Sequence, residues 1–166
     1  MAVFRILQLT AVTALLFIMS PLANSDSNSG TEILMRDEFL TADPETMKWE
    51  RNRAAPWGMR IIVLYGDPSK PGPYIFRVKM PSAYVLPPHR HKDDRTVTVL
   101  KGTYWIGTGE EFNRMDMQIA EAGAFYTTKA DVPHYAWART EVILQESGYG
   151  PTDMRYVHPE DDPRNQ

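Results

Sequence analysis

From residue 59 onward the chain is written in short runs of alternating apolar and polar residues, cut at close intervals by glycine and proline. Residues 59–65 (MRIIVLY) are rich in β-branched side chains and predict a strand. Residues 66–73 (GDPSKPGP) carry turn chemistry throughout. In residues 74–80 (YIFRVKM), Tyr74, Phe76, Val78 and Met80 share one face while Arg77 and Lys79 take the other, the period of a half-buried strand. Further strands are expected at 96–100, 103–107, 124–128, 135–138, 141–146 and 154–157. Lys101-Gly102 reads as a tight hairpin between two of them. Helical signals are sparse: one turn at 43–47, capped by Thr41 or Asp43, and a short helix within the polar stretch 109–117. Many short strands with one or two short helices predict an all-β sandwich or barrel, and periodicity alone does not choose between them.

The first 25 residues follow a different rule. Arg5 precedes a nearly continuous apolar run over 6–19, and Leu22-Ala23-Asn24-Ser25 offers small residues for cleavage. This is the pattern of a secretory signal peptide, shorter than the roughly 20 apolar residues a membrane span needs. The expected organisation is a signal peptide at 1–25, a polar leader and N-terminal arm at 26–48, a folded domain at 49–157 and a charged, proline-containing flexible tail at 158–166. The protein is then exported, to the periplasm or beyond, with no stable membrane span after cleavage. The 166 residues carry a net charge of -3 with no basic stripe, which argues against a nucleic-acid partner. There is no cysteine, so disulfides and thiolate metal sites are excluded. Any metal must be held by histidine, carboxylate or backbone oxygen.

Three of the four histidines fall where they can act together. His89 and His91 sit in Pro87-Pro88-His89-Arg90-His91, just before the strand at 96–100. On extended backbone, positions two apart project to one face, so both imidazoles can converge on one ion. His134, in Val132-Pro133-His134-Tyr135, follows the strand at 124–128, and a barrel can bring it against that pair. Imidazole suits Zn, Fe, Cu, Ni and Mn. His158, in the charged tail, reads as a surface residue. The aromatic set Tyr74, Phe76, Tyr104, Trp105, Phe125, Tyr126, Tyr135 and Trp137 reads mostly as core, with some members lining a cavity. No phosphate-binding glycine loop and no serine nucleophile in an elbow or triad context is present.

The stretch from Pro87 to Trp137 resembles the cupin superfamily. His89 and His91 match the paired histidines of its first motif and Gly102 the closing glycine; Gly123 and His134 match its second motif. Ala83, Lys129 and Asp131 depart from it. Together with 66–73 and Val97–Thr103, the segments are similar to those of bacterial single-domain exported cupins over about residues 49–157. The resemblance implies a small antiparallel jelly-roll β-barrel, a small-molecule ligand or substrate, and a homodimer. It places Gln145 on a late strand as a cavity contact, although an outward-facing glutamine fits that position equally well. Tyr104 and Arg95 are the other candidate cavity or substrate contacts.

One departure bears on chemistry. Counting back from Gly102 puts Arg95 where cupins carry a metal-binding glutamate, and a guanidinium offers only donors. Three outcomes follow. The site is an all-histidine one of His89, His91 and His134; or Asp93 or Asp94 substitutes for the glutamate; or the metal is lost, with Arg95 binding an anion or facing solvent. Three-histidine cupins such as the thiol dioxygenases hold Fe(II), so the resemblance favours Fe(II), with Zn, Mn, Ni or Cu compatible. It implies a non-heme Fe(II) oxygenase-type enzyme acting on a small organic substrate. The alternative is a non-catalytic small-molecule binding or sensor protein.

Overall fold

The structure is a computed structural model that describes residues 33–36 and 39–166. The signal-peptide segment lies outside them. Among the described residues there are thirteen strands: β1 (Ile33–Arg36), β2 (Phe39–Ala42), β3 (Glu50–Arg51), β4 (Arg60–Tyr65), β5 (Gly72–Met80), β6 (Tyr84–Arg90), β7 (Arg95–Lys101), β8 (Thr103–Thr108), β9 (Gln118–Glu121), β10 (Phe125–Thr128), β11 (His134–Ala138), β12 (Val142–Gly150) and β13 (Arg155–Tyr156). Among the described residues the helical elements are four single 3₁₀ turns, at Pro44–Thr46, Arg114–Asp116, Pro159–Asp161 and Pro163–Asn165. The first two stand where short helices were expected, and the last two lie in the charged C-terminal segment. No helix among the described residues is long and apolar enough to cross a membrane.

Apart from the β1–β2 pair, the strands form a six-stranded sheet in the order β10-β7-β12-β5-β4-β3 and a five-stranded sheet in the order β13-β6-β11-β8-β9, antiparallel throughout. Alternation decides what lies between them. Tyr74, Phe76, Val78 and Met80 of β5, Val97 and Val99 of β7, and Val142 and Leu144 of β12 are buried from one sheet. Tyr84 and Leu86 of β6, Tyr104 of β8, and Ala136 and Ala138 of β11 meet them from the other. This is a two-sheet jelly-roll architecture.

Two readings of the chain change. Lys101-Gly102 is a corner and not a hairpin: β7 pairs with β10 and β12, β8 pairs with β9 and β11, so the chain changes sheets at Gly102. Gly102 has φ +87°, and a Cβ there would lie 2.1 Å from the Glu141 carbonyl oxygen. The second corner, at 139–141, packs on the first, with Arg139 N–H donating to Thr103 O at 3.1 Å. Local hairpin chemistry gave way because both flanking strands bury one face between the sheets. The second change is β6. Two consecutive prolines disfavour a strand interior, yet β6 lies between β11 and β13. Its pairing with β11 runs from His134↔His89 to Ala136↔Leu86, so Pro87 and Pro88 together oppose Tyr135 in a bulge. The bulge removes the demand for two ladder N–H groups. His89 is therefore itself inside a strand, and the strand expected at 96–100 follows as β7.

Candidate metal centre

β6 and β11 are neighbours, and their register sets His89 opposite His134, with His91 one residue past the end of β6. All three imidazoles are buried, at 1%, 5% and 6% exposure. Their ring centroids lie 4.3 Å (His89–His134), 4.8 Å (His89–His91) and 5.1 Å (His91–His134) apart. One ligand nitrogen from each can be chosen so that all lie within 4.8 Å of one another. Arg90, between the first two, turns outward to Glu110. The i, i+2 reasoning is thus met by the backbone.

The hydrogen bonds fix the chemical form of the rings. His89 Nδ1 lies 2.8 Å from Pro87 O, His134 Nδ1 lies 3.0 Å from Val132 O, and His91 Nδ1 contacts Asp153 O. A carbonyl only accepts, so each Nδ1 carries the proton. Burial, first of all, holds each histidine below its ordinary range, and the Arg95 charge adds to this. A neutral ring protonated at Nδ1 leaves a bare lone pair on Nε2. Three such nitrogens, each ring oriented by a backbone acceptor, are the donor set of a first-row divalent metal. The residues present fit that group.

Arg95 is the second feature. It is 5% exposed, so it does not face solvent. Its Nη1 pairs with Glu146 Oε2 at 2.9 Å and its Nη2 with Asp93 Oδ1 at 2.9 Å. Nη2 also donates to Thr152 Oγ1, while the Thr152 and Tyr74 hydroxyls donate to Asp93. Burial alone would lower the Arg95 pKa; the Glu146 and Asp93 carboxylates more than offset it and hold the guanidinium charged. Burial raises Glu146 above the usual carboxylate range even though Arg95 opposes it. Asp93 is thereby committed to Arg95. Asp94 is exposed, bound to Lys129 Nζ at 2.6 Å and Ala130 N at 2.8 Å. Neither aspartate joins the histidines, and among the described residues the metal-capable group is His89, His91 and His134.

A cavity of about 50 Å³ lies between the sheets, lined by the three histidines together with Arg95, Tyr104 and Glu146. Gln145 is absent from it. Its Oε1 accepts from Arg77 Nε at 3.0 Å on the outer face of the six-stranded sheet. The cavity position belongs to its neighbour Glu146, opposite the inward Phe76. The signal for Glu146 was legible: counting by twos from Val142 and Leu144 reaches it. The way Asp93, Tyr74 and Thr152 gather around Arg95 carried no such signal, because most of these partners are distant in sequence. His158 sits apart, with Nε2 on Glu110 O at 3.1 Å. Trp105 and Trp137 pack with tilted rings on the outer face, where Arg114 covers Trp137, and Phe125 is exposed, so these are not cavity residues.

Neither a family profile nor a curated protein matches the sequence. Solved structures do match the fold. An RmlC-like cupin from Shewanella frigidimarina aligns with TM-score 0.53 and 15% identity over 65% of this chain and 87% of its own. KdgF from a Halomonas species aligns with TM-score 0.52 and 15% identity, over 65% and 91%. A putative ethanolamine utilization protein from Salmonella typhimurium aligns with TM-score 0.54 and 16% identity, over 67% and 85%. The chain is a cupin by fold. Within that fold, three buried histidines could hold a metal ion, beside a buried arginine paired with two carboxylates.

Proposed function

We propose that this protein is an exported, metal-dependent cupin enzyme of the non-heme oxygenase type, acting on a small organic substrate. One observation carries the reading: three buried imidazoles each offer a nitrogen within 4.8 Å of the others, and each ring has its Nδ1 on a backbone carbonyl. His89, His91 and His134 hold the metal. Fe(II), favoured by the likeness to three-histidine cupins, would supply Lewis-acid and redox chemistry there. The chain's own residues do the rest. The apolar walls formed by Phe76, Val78, Leu86 and Val97 exclude bulk water. Glu146, raised above the usual carboxylate range by burial, can hold or release a proton at the oxygen not engaged by Arg95. Arg95 keeps Asp93 and Glu146 apart and limits the negative charge facing the site.

Metal analysis of the purified chain after loading with Fe, Mn, Ni, Zn or Cu, followed by oxygen-uptake assays with β-diketones, thiols and phenolic acids, tests this. One equivalent of metal per chain and substrate-dependent O2 uptake are expected. Failure to take up stoichiometric metal under every loading condition refutes the reading.

A further inference from the structure

Among the described residues three buried side-chain polar atoms have no partner within the protein: Trp105 Nε1, Arg95 Nε and Thr128 Oγ1, the last two on residues that line the histidine cavity. These last two are neighbours. Arg95 and Thr128 face one another across the β7–β10 ladder, and both line the cavity that His89, His91 and His134 line. A buried donor or hydroxyl left unmatched is costly in free energy, so such atoms are uncommon unless a bound group satisfies them. The other guanidinium nitrogens each have a partner, Nη1 on Glu146 and Nη2 on Asp93 and Thr152, so Nε is the one nitrogen of Arg95 with none.

We propose that Arg95 Nε and Thr128 Oγ1 form a subsite for the carboxylate head of a small anionic ligand, one that also reaches the metal. This rests on the metal reading above. Three facts define the ligand class. Nε–H needs an acceptor, and Thr128 can donate to the same group, so the ligand presents oxygen. The electrostatics ask for an anion: the metal and Arg95 are positive, the three imidazoles are neutral, and Asp93 and Glu146 are already engaged by Arg95. The space asks for a small head. About 50 Å³ takes three to five water-sized groups at roughly 10–15 Å³ each, which suits a carboxylate and one carbon beyond it.

The test uses the purified chain loaded with Co(II), whose visible absorption reports on its ligand sphere, and acetate as the probe. Acetate is expected to change the spectrum saturably, and neutral acetamide to bind at least about tenfold more weakly. Thr128→Val should weaken acetate about tenfold, the value of one hydrogen bond to a charged group, while Thr128→Ser stays within about threefold of the parent. Without acetate, Thr128→Val should melt no lower than the parent, because the hydroxyl it loses has no partner. Equal acetate affinity in Thr128→Val, no acetate effect, or equal response to acetamide overturns the subsite while metal binding stands. A fall of more than about 5 °C in Thr128→Val shows that the hydroxyl serves the fold, and also overturns it. A chain that takes up no Co(II) or other metal overturns both readings.

Discussion

Replacing Arg95 with methionine removes the one positive charge that holds two buried carboxylates. In the native protein Arg95 and Asp93 side chains are each 5% exposed and Glu146 13%, with both ion pairs at 2.9 Å. Breaking a buried pair from one side leaves the remaining charge unsolvated and costs about 3–5 kcal/mol. That is a large fraction of the 5–15 kcal/mol that typically stabilises a domain. The pH dependence follows from Glu146. Its folded pKa already lies above the usual carboxylate value, and losing Arg95, which pulls it down, raises it further. A carboxyl with a raised folded pKa contributes stability that is present below the unfolded value and lost as pH rises through the folded one. The deficit of Arg95→Met is therefore largest near pH 8 and shrinks as pH falls toward 4. Urea unfolding of both proteins at pH 8 and pH 5 measures it. Combining Arg95→Met with Asp93→Asn and Glu146→Gln should recover most of the loss. A deficit below about 1 kcal/mol at pH 8, or one that grows on acidification, would refute the assignment of a buried three-charge cluster.

Other outcomes are expected from the same geometry. His89→Ala should abolish stoichiometric metal uptake, read by elemental analysis, and with it the rise in Tm expected of the parent on metal loading. Gln145→Ala should lose only the outer bond to Arg77, about 1 kcal/mol or less, and leave metal content unchanged, whereas Glu146→Gln should alter the pH profile of any O2 uptake. Gly102→Ala should destabilise by about 2 kcal/mol or more in thermal unfolding, because φ is +87° and the new Cβ would sit 2.1 Å from Glu141 O. Gly107→Ala should lower Tm through overpacking of about 1–3 kcal/mol, since its Cβ would meet the Tyr135 ring at 2.3 Å while the Tyr135 hydroxyl is held by Asn113 O.

Local order carried much of this protein in its sequence. The period-two pattern of Tyr74, Phe76, Val78 and Met80 fixed which face of β5 is core, because a strand's side chains alternate whatever surrounds them. The same geometry placed His89 and His91 on one face, and the family resemblance supplied His134. Other decisions belong to contacts between residues far apart in the chain. Gly102 looks like a hairpin and is a corner, because burying both flanking strands requires them to lie in different sheets. Pro87-Pro88 looks like a break and is a bulge, because Tyr135 on the neighbouring strand spans two positions. Arg95 shows this most plainly. From sequence it is a cation where a metal-binding carboxylate belongs, and its three fates stayed open. Only the fold brings Asp93, Glu146, Thr152 and Tyr74 around it, and whether a buried charge is tolerated depends on partners that local sequence does not determine.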